Sequence, residues 1–210
     1  MNYEILFASN NKHKLQEVRQ ILSPYGITVY GLGDVILDIS EPEENGPNYY
    51  ENALIKANHY KKFTSLPIIA DDSGLEVVAL NNIPGLNSAR FAKECGGHSF
   101  AMQKIIYDLQ DKDDRSARFI CEIVAVNIEE KPLRFTGIAE GKITEKIEGE
   151  NGFGYDPIFY CLDANKTYAE LNEAEKNIHS HRAKALKKFI TFLQIKGLAR
   201  LKKVDHHHEH

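Results

Sequence analysis

Apolar positions at the head of the chain come first as a run and then at helical spacing. Tyr3 to Ala8 (YEILFA) is an apolar run of strand length, and after Ser9-Asn10-Asn11 the residues Leu15, Val18, Ile21 and Leu22 share one helical face that ends near Pro24 and Gly26. This predicts strand, turn, helix. A second apolar segment, ITVYGL from Ile27, leads through the polar stretch SEPEENGPN to a helix over about 49–63, with Tyr50, Ala53, Leu54 and Ala57 inward. PIIA (67–70) predicts a strand that ends at Asp71-Asp72-Ser73-Gly74, where a turn precedes the apolar LEVVAL. A loop rich in Gly, Pro and Asn runs to Gly97, and 99–110 return to helical spacing through Met102, Ile105, Ile106 and Leu109. Two stretches of β-branched and aromatic residues, 117–128 and 133–147, predict an antiparallel pair joined near Glu129 to Pro132. IFYC (158–161) is a further short strand, and Ser180 caps a last helix that buries Ala185, Leu186, Phe189, Ile190 and Leu193. Helices and strands alternate early and strands pair in the middle. The class is therefore mixed α/β: a long, partly antiparallel sheet with flanking helices.

Composition narrows the possible partners. With 210 residues, 42% of them hydrophobic, the chain suits one cooperative domain, 1–198, followed by a frayed or tag-derived tail, 199–210, that carries DHHHEH. A net charge of −4 gives no global positive field to hold nucleic acid, so an anionic ligand must be small and gripped by a local cluster. Cys95, Cys121 and Cys161 lie far apart without C-x-x-C spacing, which fits reduced thiols in a cytoplasmic protein. The opening MNYEILFASNN lacks a signal-peptide pattern and no apolar run is long enough to span a membrane.

Several stretches carry chemistry. SNNKHK (Ser9 to Lys14) lies between the first strand and the first helix, where free N–H groups and Lys14 make either a plain capped helix or an anion seat. At SHRAKAL, His181 and Arg182 oppose the dipole of the last helix, with Lys176 just upstream; a bound phosphate, an electron-rich base edge or simple solvation each answers that placement. Asp71 and Asp72 are adjacent at a strand end and project to opposite faces, so one of them faces a cleft, although an Asx turn ahead of Ser73-Gly74 competes. Carboxylates gathered from separate loops suit Mg²⁺, and Glu41, Glu43 and Glu44 offer a second source. Lys56 lies among inward residues of its helix, either reaching the same cleft or snorkelling. In GFGYDPIF, glycines flank Phe153 and let the backbone turn tightly beside a flat partner, while Pro157 stiffens the residues before it. No P-loop is present, and GLGDVI and GFGYDP both lack the third glycine of a dinucleotide fingerprint.

Read in order, SNNKHK, ENALIKA, ADDSGL, GLNSARF, GFGYDPIF and AEKNIHSHRAKAL resemble the inosine triphosphate pyrophosphatase family, over about 5–193. The resemblance implies Mg²⁺-dependent hydrolysis of dITP, ITP or XTP to the monophosphate and pyrophosphate, in a cleft between two lobes of a homodimeric protein. It assigns substrate binding to Ser9, Asn10, Asn11, Lys12, His13 and Lys14, with Ser9, Asn11 and Lys14 on the phosphates, and adds Lys56 and Ser73. Glu44, favoured over Glu41 and Glu43 by its spacing to ENALIKA, and Asp72 are implied metal ligands, Asp72 also taking the proton of the attacking water. Phe153 stacks on the base, with Gly154, Tyr155 and Asp156 around it, and Lys176, His181 and Arg182 meet the base edge and phosphates. Asn10 departs from the pattern, standing where many relatives carry glycine.

Overall fold

The computed structural model describes residues 2–35 and 39–201. The opening has the expected strand and helix, β1 (Tyr3–Phe7) and α1 (Lys12–Leu22), and the second apolar segment forms β2 (Ile27–Tyr30); the short α2 (Leu32–Val35) that follows is absent from the sequence reading. Asn11 caps α1, its side-chain oxygen accepting from the Lys14 amide at 3.1 Å, and Asn48 caps α3 (Tyr49–Lys61) by accepting from the Glu51 amide at 2.8 Å.

β3 (Ile68–Val77) corrects the sequence reading: it runs unbroken through Asp71-Asp72-Ser73-Gly74, where a turn was expected. Ser73 and Gly74 pair with Cys121 and Ile120 of β5 (Ser116–Val126). Glycine at 74 answers a close approach, since a Cβ there would lie 2.2 Å from the Gly85 carbonyl oxygen. The segment read as a loop before Gly97 holds β4 (Ile83–Pro84) and α4 (Ser88–Glu94), the latter too short to show a helical period. α5 (His98–Asp108) follows, and β6 (Leu133–Ile143) stops short of the expected residue 147. β7 (Phe159–Cys161) and β8 (Lys166–Thr167) complete the strands among the described residues. α6 (Glu173–His179), absent from the sequence reading, precedes α7 (His181–Ile195), where Ser180 accepts from the Ala183 amide as expected.

The strands form one mixed eight-stranded sheet in the order β2-β1-β3-β5-β6-β7-β8, with β4 paired to β3. β1 is parallel to β2 and β3, and the remaining pairs are antiparallel. Side chains alternate across the sheet, so parity along β3 sorts its residues. Ile69 packs with Ile123, Val18 and Phe189 on the face covered by α1 and α7. Ile68 and Ala70 pack with Ala53 and Ala57 of α3 on the other face. Farther along, Leu75 and Val77 join Met102 and Ile105 of α5 in a third apolar cluster. Asp71 therefore points towards α1 and α7, and Asp72 towards α3.

Cys121 and Cys161 are buried free thiols, and Cys95 is half-buried. No helix among the described residues is long and apolar enough to cross a membrane. At the start of the expected tail, the Arg200 amide donates to the Tyr25 carbonyl at 2.8 Å and its guanidinium to Asn2 at 3.0 Å. The rest of that tail, 202–210, lies outside the described residues.

α7 sits on β6 through a bare patch of backbone. A Cβ at Gly137 would lie 2.0 Å from the His181 carbonyl oxygen and 2.5 Å from the Ala185 amide nitrogen, and neither can swing aside. Gly137→Ala is expected to destabilise the fold by roughly 1–3 kcal/mol through overpacking. A urea midpoint equal to that of the parent would refute this tight seating of α7.

Candidate active site

A cavity of about 860 Å³ opens where α1 begins. Ser9, Asn10, Asn11 and Lys14 line one side, Glu41, Glu43 and Glu44 another, with Lys56 and Asn52 from α3 and Asp72 and Ser73 from β3 below. Asn87 and Arg90, around the start of α4, close the far wall. The acidic loop is tied down at several points. Asn10 Nδ2 donates to Glu41. Lys56 Nζ pairs with Glu44 Oε1 at 2.9 Å and also donates to the Asp71 carbonyl. Asn52 joins loop to strand: its Oδ1 accepts from the Gly46 amide at 2.7 Å, and its Nδ2 donates to Asp72 Oδ2 at 3.2 Å. Although burial opposes it, Asp71, Glu44 and Asp72 together raise the Lys56 pKa above the ordinary lysine value.

The two aspartates have opposite electrostatics. Asp71 is fully buried; burial alone would raise it, but Lys14, Arg182 and Lys56 outweigh that and hold it well below the carboxylate range. Burial instead pushes Asp72 up to about 6, against the pull of Lys56, with Glu44 adding to the rise. Its cross-strand partner Glu122 adds no loose charge, being clamped by Arg134 at 2.9 and 3.0 Å and by Thr136 at 2.8 Å.

On the other side of the α1 start lies a second cavity of about 440 Å³, lined by His13, Gln16 and Gln20 of α1, by Phe153, and by Lys176 and Asn177 of α6. The Phe153 loop is fixed from within. Asp156 Oδ2 accepts from the Phe153 amide at 3.0 Å, and a Cβ at Gly152, whose φ is +75°, would lie 2.1 Å from that same oxygen. Tyr155 is buried and donates its hydroxyl to the Ser88 carbonyl at 2.6 Å, so it anchors the loop to α4. Lys176 Nζ lies 4.3 Å from the centroid of Phe153.

A continuous line of buried charges joins the two cavities. Asp156 pairs with Lys176 at 2.6 Å, Lys176 with Glu17 at 2.6 Å, Glu17 with Arg182 at 2.7 Å, and Arg182 with Asp71 at 3.3 Å. Asp71 in turn meets Lys14 at 3.3 Å. Arg182 also donates to Ser73 Oγ at 3.3 Å, so four of its five N–H groups are engaged. For Glu17, burial pulls upward, yet Arg182 and Lys176 prevail and lower its pKa. His181, buried and lying nearly parallel to the rings of Phe119 and Tyr168, is held well below the usual histidine value by burial and by the nearby Arg182 and Lys176. It is neutral near pH 7.

The structure thus brings Ser9, Asn10, Asn11, Lys14, Glu44, Lys56, Asp72 and Ser73 to one cavity and His13, Phe153 and Lys176 to the other. Lys12, Gly154, Tyr155, Asp156, His181 and Arg182 line neither, the last four being buried. Sequence reasoning missed Glu17, Asn52, Asn87 and Arg90. Glu17 had a signal, standing three residues after Lys14 and so on the same side of α1. Asn52 had another, a poor helix former set inside a helix beside inward Ala53.

The donor set bears on a metal. Among the described residues no three His, Cys, Asp or Glu side chains converge as an all-protein metal cage. Glu44 and Asp72 offer two carboxylates from separate elements to one cavity. That set fits an ion such as Mg²⁺, which takes one or two carboxylates and fills its other positions with water and phosphate oxygens.

Comparison with known proteins places these features in a family context. Residues 5–192 match the model described as the Ham1 family. A dITP/XTP pyrophosphatase from Clostridium perfringens is 40% identical over 88% of this chain and 94% of its own length. One from Coxiella burnetii is 42% identical over 90% and 96%. The solved structure of the Staphylococcus aureus Ham1 protein superposes with a TM-score of 0.80 at 38% identity, covering 92% of this chain and 99% of that one.

Glu17→Gln keeps the shape of the buried line but leaves Lys176 and Arg182 facing each other across a neutral amide. It is expected to cost about 3 kcal/mol or more at neutral pH, read from urea unfolding. Because the folded-state pKa of Glu17 is depressed, its contribution is complete above the ordinary value of 4.5 and disappears as pH falls towards the folded value. The gap between parent and variant should therefore narrow below about pH 4.5; a gap independent of pH would show that the charge is not what matters.

Proposed function

This chain is a member of the Ham1 family, and on that premise we propose that it is a nucleoside triphosphate pyrophosphatase, hydrolysing nonstandard purine nucleotides (dITP, ITP and XTP) to the monophosphate and pyrophosphate. The observation that carries the reading is the pairing of cavities across the start of α1: one has acids and lysines, the other Phe153. A triphosphate suits the first and a flat base the second. Lys14, Lys56 and the free N–H groups at the start of α1 hold phosphate oxygens. Glu44 and Asp72 would hold Mg²⁺, which when bound neutralises charge on the phosphates and on departing pyrophosphate. Asp72 takes the proton of the water attacking the α-phosphorus. A carboxylate raised to about 6 is a stronger base than an ordinary aspartate, yet stays mostly ionised at pH 7. Asn52 keeps it aimed, through the 3.2 Å hydrogen bond to Oδ2.

Phe153 supplies stacking worth roughly 1–3 kcal/mol, which any base would enjoy. Choice among bases rests on polar groups. Of Lys176, His181 and Arg182, Lys176 alone lines the cavity, and its ammonium favours a 6-oxo group and leaves a 6-amino group without an acceptor. Arg182 serves by fixing the line of charges behind it, and neutral His181 packs against Phe119 and Tyr168. The working unit in this reading is a cytoplasmic homodimer.

A panel of purine and pyrimidine triphosphates with Mg²⁺ tests the activity: pyrophosphate should be released from ITP, dITP and XTP far faster than from ATP. Release of orthophosphate would make the protein a phosphatase, and no release a nucleotide-binding module. Asp72→Asn is expected to lower turnover of dITP by about 10²- to 10⁴-fold. Near-normal turnover in that variant would remove Asp72 from the chemistry.

A further inference from the structure

The ring on which the base is read to stack is already covered. His13 lies parallel to Phe153, with ring centroids 5.0 Å apart and planes inclined by 14°. A third ring slipped between them needs two van der Waals separations, about 7 Å in all. At the observed spacing, His13 and a purine exclude each other from that face. Lys176 Nζ also lies 4.3 Å from the Phe153 centroid and is itself locked to Glu17 and Asp156, so it is a fixed neighbour of the ring.

The partners differ in how firmly they are held. Phe153 is clamped by the Asp156 carboxylate on its own amide and by the buried Tyr155 two residues on. His13 sits in the first turn of α1 as an exposed residue, and its ring makes no hydrogen bond among the described residues. The stack is what holds it. The histidine is the part that can move, by rotation about its side-chain bonds, without disturbing the backbone of α1.

We propose that His13 is a stand-in for the nucleobase: its ring covers Phe153 until a purine displaces it, which imposes a uniform penalty on base binding. This deepens the reading of Phe153 as the base platform and rests on it. An aromatic pair of this kind has a stacking strength that converts to an apparent affinity lowered by about 2- to 10-fold.

The test is calorimetric binding of inosine monophosphate, the product under the proposed function, to the parent, His13→Ala, Phe153→Ala and the double variant. His13 is exposed, so its replacement leaves the core intact. His13→Ala should lower Kd by about 2- to 10-fold, and that gain should vanish when Phe153 is also absent. Weaker or unchanged binding by His13→Ala, with Phe153→Ala clearly impaired, overturns the stand-in role while leaving the platform. Unimpaired binding by Phe153→Ala removes the platform, and this inference with it. An independent reading comes from the ring protons of His13. The Phe153 ring current should shift them upfield, and saturation with inosine monophosphate should release them; no change on saturation counts against the proposal.

Discussion

An alternating line of buried charges, from Asp156 through Lys176, Glu17, Arg182 and Asp71 to Lys14, fixes the geometry of everything around it. Burying ions is costly, and the cost is offset only if every member keeps an opposite neighbour at short range. That condition acts as a geometric constraint: the Phe153 loop, α6, α1, α7 and β3 each contribute to the line, so none can shift without stranding a charge. The pocket with the aromatic wall and the cavity with the acids are held at a set separation by this one structure. It also explains why Arg182 and His181 tolerate the wrong end of a helix. Glu17 and Asp71 compensate the first, and the second is uncharged.

Most of the architecture was legible as periodicity. The apolar run of β1, the spacing of Leu15, Val18 and Leu22, and the paired stretches of β5 and β6 each specify an element through burial alone. What escaped had no period to read. α4 and α6 each span 7 residues, and their positions come from tertiary contacts and, for α6, from the Asn172 and Glu175 capping box. The turn expected at Asp71 to Gly74 failed for a different reason. Turn-forming residues are also those that leave room, and here Gly74 makes space for the Gly85 carbonyl and the Tyr49 hydroxyl instead of bending the chain.

The site divides in a similar way. Residues carried on helix starts and on the acidic loop were visible because exposed polar clusters stand out in a sequence. The buried partners were harder. Whether a charged residue faces a ligand or another charge depends on helix packing, which the local sequence does not encode, and Arg182 and Asp156 proved to be of the second kind. Tyr155, which looks like a pocket wall beside Phe153, is instead a bolt between its loop and α4.

Because Asp71 and Asp72 sit on one continuous strand, their roles are assigned by nothing more than odd and even numbering along β3. Asp71 is bound into the line of charges, whereas Asp72, the next residue, lines the cavity with the acids. Inserting or deleting a single residue upstream within that strand would turn each acid to the opposite face of the sheet. The length of this central strand is therefore constrained by the two different surroundings it serves at once, the buried ion pairs on one face and the cavity on the other.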